Sequence, residues 1–368
     1  MENLKLKLIH DVRYQAGLNQ CLEKPSILIA PTNYCNLSCS YCSTSHIKNS
    51  PINMDLNLVK SIVDQAVDNA WEMSFGQTFE PFLHPEIDKI VDFTNSKGRR
   101  FCSATNALAI KQNVYDQPMD LLISLSVTKD DYAHRRTHLP FERYKQKLHS
   151  FLTHRMKNGV QGTLSLQISD YTIFCGDLKY NKKIYDIDGI YNKSISTANW
   201  LGAELTKDTS HWKEEIAYRK PLTLFQHGGC VVQVQPTKIM PNSYDAFREL
   251  PIPQEPKGYC DSCYTMMSIQ ADGSVALCCC DPSANAIAGR IEANSNLKKF
   301  WRGEEMTKIR DHFKEHTPIH SYCTQCLGDV SENIKPLLTV KTPRVVADIL
   351  HDLGVESDLP WFKFPTRK

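Results

Sequence analysis

The sequence has 368 residues, of which 41% are hydrophobic, so it is long enough for one large domain and a smaller one. Its formal net charge of +2 gives no reason to expect a nucleic-acid or membrane partner, because such partners usually require a strong excess of basic residues. Met1 to Gln20 contain no continuous apolar block, and no later stretch approaches the length of a membrane span. We therefore expect no signal peptide and a cytoplasmic protein.

Residues 26–202 alternate short apolar runs with segments of helical periodicity. We predict strands at residues 26–30, 73–76, 100–105, 121–127 and 163–168, with a sixth near residues 195–200. Helices are predicted between them at residues 58–67, with Asn53 or Asp55 as N-cap, and around residues 87–93 and 141–151. Strands separated by helices form parallel sheets with right-handed crossovers. The pattern therefore predicts an α/β protein with a partial (β/α)6 TIM-like barrel, since a closed barrel needs about eight units.

Residues 203–259 are less regular and include a proline-rich run, so we predict a linker and substrate-facing segment there. After Cys260, two apolar runs flank Ala271-Asp272-Gly273, and an Asp-Gly pair in this position predicts a β-hairpin. A helix is predicted over residues 297–312. The predicted organisation is an N-terminal extension (1–25), a barrel core (26–202), the linker (203–259), a small cysteine-rich β-hairpin/helix domain (260–330) and a C-terminal tail (331–368).

The chain contains 14 cysteines, which is unusual for its length. In a reducing cytosol, clustered cysteines more often bind metal or do redox chemistry than form disulfides. One cluster comprises Cys35, Cys39 and Cys42, and a second lies between Cys260 and Cys326. The isolated cysteines are predicted to be small buried side chains; they are Cys21, Cys102, Cys175 and Cys230.

The first cysteine cluster directly follows the first predicted strand. Its spacing allows one compact loop to direct three thiolates at a cubic [4Fe–4S] cluster, in which each iron takes one thiolate. The fourth iron then stays open and can bind the amine and carboxylate of an external molecule. Structural zinc sites instead have four protein ligands, and His46 is the nearest alternative fourth ligand. The pattern favours an open iron–sulfur cluster over zinc.

This loop resembles the defining motif of the radical S-adenosylmethionine (SAM) superfamily, and further segments follow in the family's order. Tyr41 matches the aromatic residue before the third cysteine, which in the family packs near the adenine. The segment from Gly76 to Glu80 is similar to the family's Gly-Gly-Glu-Pro, which approaches the SAM amino group, although one glycine is missing. Asn106 lies in Thr-Asn-Ala, which resembles the family's Thr-Asn-Gly after the third strand.

The resemblance continues after the fourth predicted strand and covers about residues 26–202. Ser126 ends that strand, and the following segment is similar to the one that carries a SAM-facing arginine. A guanidinium suits the SAM carboxylate, and the spacing to Phe141 favours Arg136 over Arg135. Asn199-Trp200-Leu-Gly202 also resembles a late-barrel segment of the family. The SAM contacts implied by the resemblance are Tyr41, Gly76, Glu80, Asn106, Ser126 and Arg136.

The resemblance implies a definite reaction class. The reduced cluster passes one electron to SAM, which gives methionine and a 5′-deoxyadenosyl radical, and this radical abstracts a hydrogen atom from the substrate. An electron donor such as flavodoxin or ferredoxin is implied. The cofactors carry the hard chemistry, whereas the protein positions the substrate and excludes water.

The second cysteine cluster is similar to the auxiliary-cluster extension of many radical SAM enzymes, called SPASM with two clusters and twitch with one. The two-cluster pattern needs two more cysteines after Cys326, so we predict one auxiliary [4Fe–4S] cluster. The predicted ligands are Cys260, Cys278, Cys323 and Cys326, and the rival ligands are Cys263, Cys279 and Cys280. A zinc ribbon on two Cys-x-x-Cys pairs is the alternative, but the pairs lie much farther apart than in known ribbons.

Two kinds of substrate fit these features. We favour a small polar metabolite, such as a sugar, nucleotide sugar or aminocyclitol, over a peptide, because peptide maturases often carry an N-terminal leader-binding domain and two auxiliary clusters. An iron–sulfur scaffold without enzymatic activity would not need the SAM segments.

The auxiliary cluster favours oxidation of the substrate, since it can accept the second electron. Epimerisation, with a thiol returning hydrogen, and dehydration of a diol are the alternatives. The candidate thiol donors are Cys263, Cys279, Cys280 and Cys230. The sequence leaves the substrate's identity and the oligomeric state open.

Overall fold

The computed structural model describes residues 24–40, 42, 44, 47, 50–76, 78–170, 186–203, 209–238, 262–279, 281–314 and 317–327. In these residues the strands are β1 (Ser26–Ile29), β2 (Met73–Phe75), β3 (Phe101–Thr105), β4 (Met119–Leu125), β5 (Gly162–Asp170), β6 (Leu222–His227), β7 (Cys230–Lys238), β8 (Met266–Ile269), β9 (Ser274–Ala276) and β10 (Ile287–Arg290). The helices are α1 (Leu56–Asp68), α2 (Ile87–Ser96), α3 (Lys129–Ala133), α4 (Phe141–Asn158), α5 (Ile187–Leu201), α6 (Trp212–Ala217), α7 (Ser262–Thr265), α8 (Leu297–Trp301), α9 (Glu304–Lys314) and α10 (Ser321–Leu327).

In helix α1 the local sequence determines where the helix begins and which of its faces is buried. The Asp55 side chain caps its first turn by accepting hydrogen bonds from the backbone N–H groups of Asn57 and Leu58. Val59, Ile62, Val63 and Ala66 form its buried stripe, at the spacing that puts side chains on one helical face. The predicted helix and one of its two candidate N-caps are thus confirmed.

The strands form one sheet in the order β10-β9-β8-β1-β2-β3-β4-β5-β7-β6. Strands β1, β2, β3, β4, β5 and β7 run parallel to one another in that order. Strand β6 pairs antiparallel with β7 at the edge. The described sheet is open rather than closed on itself, which confirms the predicted partial barrel.

The predicted position of the sixth barrel strand is wrong. Residues 195–200 lie in helix α5, which has Asp186 as a side-chain N-cap and ends at Gly202 with a left-handed φ of 65°. The sixth parallel strand is β7, which lies inside the segment predicted as a linker. Both caps were visible in the sequence and would have identified the helix.

The two faces of the sheet differ in composition. Ile123 of β4, Leu166 of β5 and Val234 of β7 belong to the buried core, together with apolar side chains of α4 and α5. The alternate residues on the same strands, Ser124 and Gln167 among them, are only partly buried. Because side chains alternate along a strand, they point to the opposite, inner face of the barrel.

The cysteine-rich region continues the barrel sheet. Its predicted hairpin is formed by β8 and β9, which turn at Asp272-Gly273, where the φ of Gly273 is 84°. Strand β8 pairs in parallel with β1, from Ser26 beside Met266 to Ile29 beside Ile269. None of the described helices has the length and apolar character needed to cross a bilayer.

Candidate functional site

The first cysteine loop leaves the carboxyl end of β1 and contacts the segment that follows α3. The backbone N–H of Ser38 donates to the carbonyl of Arg135 at 3.3 Å, and that of Ser40 to the carbonyl of His134 at 2.8 Å. Ser40 Oγ and His134 Nδ1 are also hydrogen-bonded, at 3.1 Å. The loop is therefore fixed at the end of the barrel where the parallel strands finish, the edge at which α/β barrels place their sites.

The three cysteines of this loop lie close to one another. The backbone N–H of Cys42 donates to the carbonyl of Cys39 at 3.1 Å. Burial raises the pKa of the Cys35 thiol to about 12, and the charges of Glu80, Cys42 and Cys39 add to this rise. A thiolate at this position therefore needs a nearby positive charge, which bound iron supplies.

The three thiols of the loop match the ligand number of an open iron–sulfur cluster, in which each bound iron takes one thiolate. Structural zinc sites instead place four protein ligands on one ion. In the part of the chain that the structure describes, no group of three Cys, His, Asp or Glu side chains is placed to hold a metal ion. His46 and Tyr41 lie outside the described residues.

Glu80 connects the ends of β2 and β3. Its buried carboxylate accepts hydrogen bonds from Thr105 Oγ1 at 2.7 Å, from the Asn106 N–H at 2.8 Å and from the Phe82 N–H at 3.3 Å. Burial raises the pKa of Glu80 to about 7, although these hydrogen bonds and the nearby Arg135 lower it. The carboxylate is thus largely occupied by the protein itself, which makes Glu80 a positioning residue in this structure.

Asn106 and Gly76 shape the same region. Asn106 Nδ2 donates to Asn36 Oδ1 at 2.9 Å and lies 3.9 Å from Cys35 Sγ, so it supports the cysteine loop directly. Gly76 has a left-handed φ of 65°, and an added Cβ would overlap the Pro81 ring. The loop after β2 therefore requires glycine at this position, even though the sequence has only one of the two glycines of the family motif.

The two neighbouring arginines differ in burial and in contacts. Arg135 is buried, and its Nε donates to Ser126 Oγ at 2.6 Å while Nη2 donates to the carbonyl of Ser124. Its guanidinium also lies 5.2 Å from the ring centre of Tyr144. Arg136 is exposed and has a left-handed φ of 47°. Arg135 is the arginine that the fold brings to Ser126.

The second cysteine cluster lies partly outside the described residues. Cys260 and Cys280 are not described, and Cys326 lies in α10 without a described side chain. Cys263 and Cys323 are buried, whereas Cys278 and Cys279 are partly exposed. The antiparallel register of β8 and β9 puts Cys278 at the same end of the hairpin as Cys263. The assignment of four auxiliary ligands stays a prediction.

Two buried ionisable residues frame this end of the hairpin. Asp281 accepts hydrogen bonds from the Ala286 N–H at 2.7 Å and from Asn285 Nδ2 at 2.8 Å, and so it fixes the turn after the cysteines. Burial raises the pKa of Asp281. Arg310 is 4% exposed, and its Nε donates to the carbonyl of Cys263 at 3.0 Å. The sequence analysis missed Arg310, because it lies within the buried apolar stripe of α9.

Cys230, one of the candidate thiol donors, lies on the helix-packed face of β7. It is fully buried and alternates with Gln233 and Gln235, so its side chain lies on the helix-packed face with Val232 and Val234. By the same alternation, Cys102 of β3 lies on the inner face and is partly exposed. Burial raises the pKa of the Cys102 thiol. From the sequence, Cys102 was interpreted only as a packing residue and Cys230 was also a candidate thiol donor, because the two faces of a strand cannot be assigned from an isolated cysteine.

Two family models match the chain. The model described as the radical SAM superfamily matches residues 29–151, which include the first cysteine loop, Glu80 and Arg135. The SPASM model, described as an iron–sulfur cluster-binding domain, matches residues 244–327, which include the second cysteine cluster. A comparison with curated protein sequences found no match.

Several solved structures are similar in fold. BtrN in complex with AdoMet and 2-DOIA has a TM-score of 0.38 at 17% identity, over 79% of this chain and 87% of that chain. SuiB of Streptococcus suis bound to its precursor peptide SuiA has a TM-score of 0.48 at 16% identity, over 81% and 70%. The anSMEcpe structure with bound AdoMet has a TM-score of 0.48 at 16% identity, over 82% and 86%. At these identities and TM-scores, the matches leave the substrate of this chain undetermined.

Proposed function

Because the chain belongs to the radical SAM superfamily and carries an SPASM-type iron–sulfur domain, we propose that it oxidises a small polar metabolite, such as a sugar, nucleotide sugar or aminocyclitol. The radical SAM domain implies a [4Fe–4S] cluster and SAM, and the SPASM domain implies auxiliary iron–sulfur clusters. When bound, these groups supply one-electron cleavage of SAM, a radical that takes a hydrogen atom, and an acceptor for a second electron. The protein's own residues must bind and orient the reactants.

Several residues of the site suit these roles. Cys35, Cys39 and Cys42 would hold the first cluster through three thiolates, which leaves one iron for the SAM amine and carboxylate. Asn106 donates toward the Cys35 sulfur from 3.9 Å, and such donors orient and tune cluster ligands. Ser126 and Ser124 hold the guanidinium of Arg135 at the carboxyl end of β4, and a guanidinium at this end of the barrel suits the SAM carboxylate.

The observation that carries oxidation is the pairing of β8 with β1. The first cysteine loop follows the carboxyl end of β1, whereas Cys263 and Cys278 lie at the amino end of β8. Strands β1 and β8 have 4 residues each, so the strand ends nearest the two cysteine groups are separated along the sheet by about 13 Å, at about 3.3 Å per residue, and the cysteines lie beyond those ends. A cluster bound by these cysteines would therefore lie on the same sheet as the first cysteine loop, and we propose it as the acceptor of the second electron.

The proposed reaction is balanced. A secondary alcohol loses two electrons and two hydrogens and becomes a ketone. One hydrogen atom leaves with the deoxyadenosyl group of SAM, the hydroxyl proton leaves to water, and the second electron leaves to the auxiliary acceptor. The electron spent on SAM cleavage is thereby recovered, and one SAM is consumed for each product.

The test begins with cofactor content. After anaerobic reconstitution we expect about eight irons per chain, and about four when Cys35, Cys39 and Cys42 are all replaced by Ala. The triple variant should keep an iron–sulfur absorbance and cleave no SAM with dithionite or reduced flavodoxin. Zinc in place of iron at the C-terminal cysteines would contradict an auxiliary electron acceptor.

The second part of the test separates the chemical outcomes. Cys323→Ala should keep reductive SAM cleavage but lose oxidised product, because the second electron then lacks an acceptor. Oxidation incorporates no solvent hydrogen at the abstracted carbon, so turnover in D2O should give unlabelled ketone. Deuterium at an inverted carbon without net oxidation would show an epimerase instead, and Cys102→Ala would then identify whether the inner-face thiol donates. Loss of water from a diol would show a dehydratase.

A further inference from the structure

The inner face of the barrel at β4, β5 and β7 carries a continuous set of hydroxyl and amide side chains, which we call the inner polar face. Its members are Ser124, Ser165, Gln167, Gln233, Gln235 and Thr237. The strand register places them in rows, with Ser124 beside Gln167 and Gln167 beside Gln235. All six are partly exposed, in contrast to the buried apolar residues that alternate with them.

The amides of this face are only partly used by the protein. Gln233 Nε2 donates to Ser165 Oγ at 2.8 Å, and Gln167 Nε2 donates to Thr237 Oγ1 at 3.3 Å. Within the described residues, the side-chain oxygens of Gln167 and Gln233 accept no hydrogen bond. Each amide therefore presents an acceptor and a further N–H to the interior.

The inner polar face has no ionised group among its members. Asp120 lies on the same face nearer the amino ends of the strands, where it pairs with Arg100 at 2.7 Å. Arg135, at the other end, is bonded to β4. A phosphate or carboxylate ligand usually meets an arginine or lysine, whereas amides and hydroxyls match groups that both donate and accept hydrogen bonds.

We propose that the inner polar face binds a neutral polyhydroxylated ring, a sugar or cyclitol without phosphate or carboxylate, and that Gln167 and Gln233 determine this specificity. The inference rests on the proposed function, since that function places the substrate inside the barrel. It narrows the substrate class of that function, because it excludes nucleotide sugars, which carry phosphate, and aminocyclitols, whose amine is protonated at neutral pH. Ring hydroxyls both donate and accept, so they can use the free oxygen and the remaining N–H of each amide.

The test measures binding and turnover separately on the cluster-loaded, SAM-bound protein. Isothermal titration and ligand-observed NMR would compare D-glucose, D-galactose and myo-inositol with their monophosphates and with a tripeptide. We expect at least one neutral ring to bind, and its monophosphate to bind about tenfold more weakly or worse. Tighter binding of the monophosphate or of the tripeptide would overturn the proposal.

Variants assign the binding to the inner face. Gln167→Leu and Gln233→Leu should each weaken binding of the neutral ring about tenfold, because ring hydroxyls buried against the inner polar face then lose a hydrogen-bond partner. Gln167→Glu, which keeps the shape of the side chain but removes its N–H donors, should weaken binding of the ring as well. Gln146→Leu is the matched control, since Gln146 is exposed on α4, and unchanged SAM affinity would show that each variant is folded. Unchanged ring affinity in both leucine variants would refute the proposal, whereas normal ring binding without oxidised product would refute only the proposed function.

A second inference comes from Arg310, at the other end of the sheet. Among the described residues no carboxylate pairs with it, burial lowers its pKa, and its buried Nη2 has no hydrogen-bond partner. Its guanidinium is held between the Cys263 carbonyl and the Trp301 ring, whose centre lies 4.1 Å away. A buried cation without a counter-charge is costly, so an anionic group is expected beside it.

The geometry points to the auxiliary cluster as that anionic group, because thiolate-bound clusters carry net negative charge and Arg310 contacts the Cys263 segment at the cysteine end of the hairpin. Arg310 is then a positioning residue that favours the reduced, more negative cluster. Charge and hydrogen bonding around a cluster set its reduction potential.

The test is an EPR-monitored redox titration of the reconstituted protein. Arg310→Met should lower the potential of the auxiliary cluster so that the reduced-to-oxidised ratio falls about tenfold at a fixed ambient potential, which corresponds to about 59 mV for one electron. Arg310→Lys should stay near wild type, and Arg302→Met, at an exposed position nearby, serves as the control. Loss of iron in Arg310→Met but not in Arg310→Lys would also support the proposal, because it would show that the cluster needs a positive charge at this position. An unchanged potential in Arg310→Met, or equal loss of iron in the Met and Lys variants, would overturn it.

Discussion

Replacing Glu80 by glutamine should change how the stability of this chain depends on pH. Burial raises the pKa of Glu80 from 4.5 to about 7 in the folded chain without cofactors. The folded state therefore keeps a proton that the unfolded chain has already released between these two values. Because the folded state binds more protons, the contribution of Glu80 to stability falls as the pH rises through this window and is lost above it.

The size of the effect follows from the two pKa values. One pH unit inside the window corresponds to about 1.4 kcal/mol, so the contribution of Glu80 should fall by about 2 kcal/mol between about pH 5.5 and about pH 8. Glutamine cannot ionise. The stability of Glu80→Gln relative to wild type should therefore rise by that amount over the same range, on top of a constant loss from the altered hydrogen bonds to Thr105 and Asn106.

The assay is urea unfolding of the cofactor-free chain at both pH values, followed by tryptophan fluorescence. Glu86→Gln is the matched control, because its carboxylate is exposed and pairs with Lys89 on the surface, where ion pairs contribute little. If the difference between wild type and Glu80→Gln is the same at both pH values, the Glu80 carboxyl titrates normally and the reasoning from burial is wrong.

Three further outcomes are expected. Arg135→Met should weaken SAM binding about tenfold or more in equilibrium titrations, while Arg136→Met leaves it nearly unchanged; the reverse result would restore the sequence-based preference. Gly162→Ala should lower the free energy of unfolding in urea by about 3 kcal/mol, because the φ of Gly162 is 135° and an added Cβ would overlap a carbonyl of β4. Gly202→Ala should lower it by only about 1 kcal/mol, because the space around Gly202 is open. Equal losses in the two variants would contradict this reasoning. Asp281→Ala should cost about 2 kcal/mol by leaving a buried N–H unpaired, and should release auxiliary iron at a lower temperature than wild type; wild-type iron retention would show that the turn does not depend on this carboxylate.

The parts of the fold that local chemistry determines could be predicted from the sequence. Asp55 caps α1 through its own backbone neighbours, and the Asp272-Gly273 turn needs only a residue that tolerates a left-handed φ. The cysteine loop was recognised for the same reason, since its three cysteines lie within a few residues of one another. Strand β7 was missed because β6 precedes it in the chain and forms an antiparallel pair with it, which interrupts the regular alternation of strand and helix.

The functional side chains depend on details that the sequence leaves open. Whether Arg135 or Arg136 faces Ser126 is decided by the turn after α3, where Arg136 adopts a left-handed backbone conformation. Neighbouring residues in such a turn direct their side chains differently, so the sequence position alone does not identify the arginine that contacts Ser126. Arg310 has no local signal at all, because its importance comes from the Cys263 carbonyl and the Trp301 ring, both of which only the folded chain brings to it.

The pairing of β8 with β1 gives the cysteine-rich region a structural task besides that of binding a cluster. A partial barrel leaves the outer edge of its first strand open, and exposed strand edges are prone to pair with other chains. Strand β8 covers this edge over the whole length of β1, with Ser268 beside Leu28. The strand that leads into the first cysteine loop is therefore held on one side by β2 and on the other by the auxiliary hairpin. Because one sheet joins both cysteine groups, loosening the hairpin should loosen the support of the first loop as well.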